Sequence, residues 1–462
     1  MKRLKRTLLA ALAVVAAVSM LTACGGGSNN SGEKPAENNN QTETKTDAAK
    51  GSGKIYYLNF KPEVEETWKK IAEEYKKETG VDMKVVTAAS GQYEPTLKAE
   101  ITKDDAPTLF QINGPIGYQN WKDYTLDLKD SELYKHLINK DLAVTSDGGV
   151  YGIPYVVEGY GIIYNNAIMQ KYIALPNAKI KNVSEINNFA KLKEVVEDMQ
   201  AKKSELGIDG VFASTSLSPG EDWRWQTHLA NLPIFYEYRD NKTKDMAEVQ
   251  FKYADNYKNI FDLYVANSTV DPKSLTSKTV SDSMSEFALG KAAMIQNGNW
   301  AWSQISGVNG NVVKAEDIKF LPIYTGVSGE EKQGLCIGTE NFFSVNSKTT
   351  PENQKAALDF INWLFTSEKG KTFVTKDLGF ITPFDTFKAE ETPNDPLAKE
   401  VVAYMSNKDL YNVDWNFTSF PSQTFKDSFG QALGQYTAGA MTFDEVKNLF
   451  VQYWAEQKKA AQ

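Results

Sequence analysis

Apolar positions recur along this chain with two periods, and the alternation of those periods defines its first elements. Ile55 to Leu58 is a short apolar run of the kind a strand requires. Val64, Trp68, Ile71, Ala72 and Tyr75 then fall on one face of a helix, and Gly80 follows where a left-handed cap would stop it. Val81, Met83 and Val85 alternate with polar residues and predict the next strand. A strand–helix–strand opening places the folded body in the α/β class. Leu109 to Ile112 predicts a further strand, and Val150 to Pro154 with Gly161 to Tyr164 bracket an extended region. Leu192, Val195, Val196 and Met199 mark a helix. Pro351 opens another at a position where a missing N–H costs nothing, with Ala357, Phe360, Ile361 and Leu364 as its core face. Thr442 and Glu445 predict a capping box ahead of the stripe Val446, Leu449, Phe450, Tyr453 and Trp454.

The first 53 residues break this pattern. Lys2, Arg3, Lys5 and Arg6 precede an apolar run from Leu8 to Val18, too short for a good membrane span and shaped like a signal-peptide core. The run ends in Leu21-Thr22-Ala23-Cys24-Gly25, which resembles the lipobox of bacterial lipoproteins, so Cys24 is expected to carry the lipid. Residues 25–53 are rich in Gly, Ser, Asn, Glu, Lys and Thr and have no apolar period, the composition of a disordered tether. Beyond residue 54 there is no internal repeat and no long linker. In a chain of 462 residues that points to two lobes joined by more than one chain crossing.

Charge and chemistry narrow the function mainly by exclusion. A net charge of −8 argues against a nucleic-acid partner. Two cysteines, Cys24 and Cys336, cannot frame a chain of this size, and with only two histidines, His136 and His228, no metal site is expected. The Leu335-Cys336-Ile337 context predicts a buried, inert thiol. No nucleophile elbow, P-loop, dinucleotide fingerprint or zinc-protease motif occurs, so no catalytic residue and no cofactor is assigned. Paired carboxylates for glycoside hydrolysis are a spatial feature, which keeps a secreted carbohydrate-active enzyme as an alternative.

The aromatic residues stand out. The chain has 9 Trp, 22 Tyr and 23 Phe. Trp223 and Trp225, Trp300 and Trp302, and Trp415 with Phe417 each sit among Gly, Asn, Asp or Ser and not in apolar runs. A flat ring covers the C–H face of a sugar while neighbouring polar groups bond its hydroxyls, so these segments are candidate carbohydrate platforms.

Collinear segments carry a family resemblance. Gly290-Lys291-Ala292-Ala293-Met294 followed by Asn297-Gly298-Asn299-Trp300-Ala301-Trp302-Ser303 is one. Gly152-Ile153-Pro154 followed by Val157-Glu158 and Ile163-Tyr164-Asn165 is a second, and Tyr75 through Val81 a third. In these the chain resembles the extracellular solute-binding proteins of carbohydrate ABC importers, most nearly the maltose/maltodextrin-binding family. The resemblance implies an α/β, two-lobe periplasmic-binding-protein-like fold with a hinge and an interlobe ligand cleft. It implies crossings near Val156–Gly159, Phe320–Tyr324 and Phe373–Phe384. The implied organisation is signal peptide 1–23, tether 24–53, first lobe 54–157 and 322–376, and second lobe 158–321 and 377–462. By position it implies ligand contacts from Asn59, Lys61, Asn113 and Glu158, stacking by Trp223 and Trp300, and a third aromatic from Trp415 or Phe425. Asn113-Gly114 stands where the maltodextrin binders have an acidic–basic pair, so the resemblance implies a carbohydrate and not an α-glucan in particular. Implied partners are a sugar, ABC permease subunits and a membrane reached only through the lipid, with the protein a monomer on the outer side of the cell membrane. The same fold binding a non-sugar solute is the other alternative.

Overall fold

Alternation along each strand divides its side chains between two cores. In β1 (Lys54–Asn59), Ile55 and Tyr57 join one buried cluster with Trp68, Ile71, Phe343 and Phe360, while Tyr56 and Leu58 join a second with Tyr93, Leu97 and Phe110. This central strand is therefore covered on both faces, as α/β layering requires. The structure, a computed structural model, describes residues 51–460 except Ser90, Thr215 and Ala389. Residues 1–50, with Cys24 and the segments expected as signal peptide and most of the tether, lie outside the described residues.

Two sheets organise the chain. β2 (Asp82–Thr87), β1, β3 (Leu109–Ile112), β11 (Phe342–Val345), β5 (Gly149–Pro154) and β4 (Val144–Ser146) form the first, in that order. β1 runs parallel to β2 and β3, and β11 is antiparallel to both β3 and β5. The second sheet has the order β12 (Tyr411–Asp414), β10 (Gln333–Gly338), β6 (Glu158–Asn165), β8 (Ala292–Gly298), β7 (Gly210–Phe212). β9 (Ile318–Leu321) pairs with the far end of the β6 edge that β10 occupies at its start. All of β6 is buried.

The helices follow their apolar stripes. Glu65–Thr79 buries Trp68, Ile71, Ala72 and Tyr75 and ends on Gly80 at φ 75°, the expected left-handed cap. Pro351–Thr366 is capped by Thr350, whose hydroxyl accepts from the Asn353 N–H. The Thr442–Glu445 capping box forms with mutual hydrogen bonds of 2.7 and 3.3 Å. Phe443–Ala460 and Gln423–Thr437 pack together through Phe425, Phe429, Phe450 and Trp454.

The chain passes between the sheets at Tyr155–Val157, from the end of β5 to the start of β6. The second passage is at Thr339–Asn341 and not at Phe320–Tyr324, because β10 pairs antiparallel with β6 and keeps residues 322–338 in the second lobe. The third follows Phe384, which still packs in the first lobe, and leads to the helix Pro396–Ser406 of the second. Apolar content alone cannot distinguish these passages, since β9 and β10 are both short buried strands.

Candidate ligand-binding cleft

Loops leaving the carboxyl ends of β1, β2 and β3 meet those leaving β7, β8, β10 and β12, the position at which open α/β sheets bind ligands. The lobes touch there. A Cβ placed on Gly91 of the first lobe would lie 2.5 Å from the Gly220 carbonyl oxygen of the second, and one on Gly114 would lie 3.0 Å from Thr418 Cβ.

Three of the tryptophans come together on the second lobe. The Trp223 and Trp300 rings lie 6.0 Å apart, and Trp300 meets Trp415 edge-on at 6.3 Å. His228 fills the space behind them, 4.8 Å from Trp223 and stacked at 4.4 Å on Tyr160, with Phe417 at 5.1 Å. Burial first, then the charges of Arg224 and Lys426, hold the His228 imidazole neutral well below its ordinary value. Trp223 and Trp300 stay half-buried, and the buried Trp415 Nε1 has no hydrogen-bond partner among the described residues. Room for the rings comes from two glycines at strand ends: a Cβ at Gly298 would overlap the Trp300 indole, and one at Gly338 the Trp415 indole. The second member of each Trp-x-Trp pair behaves differently. Trp225 packs into the core on Phe261 and Tyr264, and Trp302 lies half-buried on the helix Ala301–Ser306.

Polar groups from three elements close the floor. Lys61 Nζ bonds Glu158 Oε1 at 2.8 Å and Glu63 Oε1 at 3.1 Å, and Asn341 Nδ2 donates to Glu158 Oε2 at 2.8 Å. Burial alone would discharge the Lys61 ammonium; the Glu158 and Glu63 carboxylates outweigh it and raise its pKa. Tyr155 OH donates to Asn341 Oδ1 at 3.4 Å and receives from Gln111 Nε2, so one network joins the first lobe to both of the first two passages. Asn59 is consumed locally, donating to Thr87 Oγ1 at 3.1 Å and the Lys61 carbonyl at 2.8 Å. Asn113 Oδ1 is buried without a partner among the described residues.

Three charged residues that the sequence does not single out face this floor. Glu340 lies on the second passage, where burial pushes its carboxyl up to about 7 against the pull of Lys426. Lys426, on the helix Gln423–Thr437, is lowered by burial and feels Glu340 and Glu94. Glu94 accepts from Trp121 Nε1 at 3.0 Å and is raised by burial. Phe425, expected as a third platform, is instead fully buried against Phe420, Phe450 and Trp454, because the helical turn that aims Lys426 at the cleft aims its neighbour into the core.

A cavity of about 240 Å³ opens beside the cluster, lined by Lys61, Glu158, Asn299, Trp300 and Asp395 among others. A larger one of about 350 Å³ lies away from it, by Lys54, Asp104 and Asn353, and has no tryptophan in its wall. The cluster is therefore the candidate site, on its aromatic wall and not on cavity size. Among the described residues no His, Cys, Asp and Glu group could hold a metal, and no helix is long and apolar enough to cross a membrane. Cys336 is buried, its thiol pushed up to about 12 by desolvation, which makes it a poor nucleophile.

A two-lobed α/β body with three passages between sheets and an aromatic-walled cleft at their facing ends defines a ligand-closing binding fold. The family model for bacterial extracellular solute-binding proteins matches residues 70–400, and the chain belongs to that family. Raffinose-bound RafE superposes with a TM-score of 0.65 at 19% identity, over 88% of this chain and 99% of that one. A chitin oligosaccharide binding protein gives 0.66 at 18%, over 88% and 99%. Maltose-bound MalE3 of T. maritima gives 0.65 at 17%, over 88% and 100%. At such identities the likeness is one of fold. The comparison with curated proteins found no match to this chain.

Proposed function

We propose that this protein is the substrate-binding component of an ABC importer, that it captures a sugar, in particular an oligosaccharide, by closing the cleft, and that it delivers the sugar to membrane permease subunits. It acts as a binder and not as an enzyme. The observation that carries the reading is the Trp223–Trp300–Trp415 cluster beside polar groups: rings for the C–H faces of a sugar, and the unpartnered Asn113 Oδ1 with the charged Glu340 and Lys426 for its hydroxyls. That the fold's relatives include proteins solved with raffinose and maltose supports the same ligand class. In this reading Trp223, Trp300 and Trp415 stack on the ligand, and Lys61 and Glu158 set the hinge-side wall.

A thermal-shift screen of mono- and oligosaccharides tests it. A ligand at 100 times its dissociation constant adds about 2.7 kcal/mol of stability. No stabilisation by any sugar, with stabilisation by a polyamine, phosphoester or metal chelate, would transfer the reading to a non-sugar solute. Slow conversion of a bound sugar, in place of its intact return, would make the protein an enzyme.

The basic start, short apolar run and Leu21-Thr22-Ala23-Cys24 support a lipid on Cys24, with the protein on the outer face of the cell membrane. Cys24→Ala is expected to move the protein from the membrane fraction to the soluble one without changing ligand affinity. Persistent membrane association would refute the anchor.

A further inference from the structure

One cation by the cleft is fully buried and, among the described residues, has no hydrogen-bond partner. Lys61 lies between Glu158 and Glu63, and Lys426 lies within the fields of Glu340 and Glu94. Arg224 differs from both. It is 1% exposed, and among the described residues none of its three guanidinium nitrogens has a hydrogen-bond partner. Its Cζ sits 4.0 Å from the centre of the Trp223 ring, itself part of the aromatic cluster. The acidic residue it feels is Glu221, whose Oε2 is already bonded to the Val280 N–H at 2.6 Å. A buried ionised group without a partner is costly enough that folded proteins retain one only where something else satisfies it.

The surroundings specify what that something is. Arg224 opens a π-helical turn, Arg224–Leu229, at the end of the loop that leaves β7, on the ligand side of the second sheet. Gly220 of the same loop is the point that Gly91 of the first lobe abuts, so closure of the lobes covers this loop. Among the described residues further buried atoms here lack partners: the acceptors Gln226 Oε1 and Gln296 Oε1, the latter on a side chain whose Nε2 donates to the Arg224 carbonyl at 2.9 Å, and the indole donors Trp225 Nε1 and Trp415 Nε1. The place thus asks for an anion and for hydroxyl donors together, beside a stacking ring. A neutral sugar supplies only the hydroxyls. A sugar ring bearing a carboxylate supplies both, and a planar guanidinium matches a carboxylate with two parallel hydrogen bonds.

We propose that Arg224 is the anion-recognition group of the cleft and that the ligand is an acidic carbohydrate containing a hexuronate residue. The inference rests on the sugar-binding reading above and narrows it.

Calorimetry on the full chain tests it with di- and trisaccharides of galacturonic and glucuronic acid, against galactose and glucose oligomers of the same linkage and length. An acidic oligomer is expected to bind at least about tenfold more tightly than its neutral counterpart, the range of a charge-assisted hydrogen bond, and to lose that advantage as NaCl is raised. Arg224→Gln should shrink the acid-to-neutral affinity ratio about tenfold or more, with Arg224→Lys retaining part of it. The wild-type comparison needs no variant, so misfolding of either substitution leaves the test intact. Neutral oligomers binding as tightly as acidic ones would overturn the inference and leave the sugar-binding reading standing. Binding of neither class would sink both.

Discussion

Trp300 and Phe425 are both aromatic residues near polar sequence, yet they occupy opposite environments. Trp300 is half-buried beside two other indoles, and Phe425 is sealed in the core. Trp300→Ala is therefore expected to cost about 2 kcal/mol or more of ligand binding with little loss of melting temperature. Phe425→Ala should cost about 3–5 kcal/mol of stability, with affinity kept in what folds. Calorimetry and thermal unfolding on the two variants separate these outcomes, and an affinity for Trp300→Ala within about twofold of wild type would remove it from the site. Glu340 makes a pH prediction. Burial raises its carboxyl to about 7, while Lys426 and Lys61 lower it and Glu158 raises it further. Between the ordinary carboxylate value and about 7, the folded protein holds a proton that the unfolded chain releases. The associated stability is full at low pH and lost as pH rises through about 7. Wild type should accordingly lose melting temperature from pH 5 to 8 relative to Glu340→Gln; parallel curves would show that Glu340 ionises freely.

Strand ends, more than side-chain type, decide which rings reach the cleft. β8 ends in Gly298 and β10 in Gly338, and each leaves space that an indole occupies, Trp300 from two residues on at the first and Trp415 from the distant end of β12 at the second. Gly298→Ala is expected to push the Trp300 ring aside and to weaken sugar binding by about tenfold, the scale of displacing a stacking residue, with the strand pairing of β8 intact by circular dichroism. Unchanged affinity would mean that the ring does not work from its present position. The helix Gln423–Thr437 makes the same point: one turn delivers Lys426 to the cleft and Phe425 to the core.

Three passages between two sheets, with separate cores around each, permit the lobes to rotate without disturbing either core. Their contacts across the cleft are small, Gly91 against Gly220 and Gly114 against Thr418, whereas the hinge side carries the Gln111–Tyr155–Asn341–Glu158–Lys61 network. A ligand that bonds both lobes at once shifts such an equilibrium toward closure by its differential contacts. Saturating sugar is expected to reduce the radius of gyration in solution scattering. A curve that stays the same with ligand bound would mean that the lobes do not move.

Periodicity by itself determined the α/β class, the opening strand–helix–strand, the Gly80 cap and the Thr442–Glu445 capping box, because each depends on residues close in sequence. The aromatic segments were legible for a related reason: a tryptophan outside an apolar run has no local packing to account for it. Tertiary structure alone decided that Trp223, Trp300 and Trp415 meet, that Phe425 does not join them, and that the second passage falls at Thr339–Asn341. It also decided that Glu94, Glu340, Lys426 and Arg224 leave water. In sequence each is an ordinary charged residue, and only the convergence of distant loops at the facing strand ends removes its solvent and gives it a role.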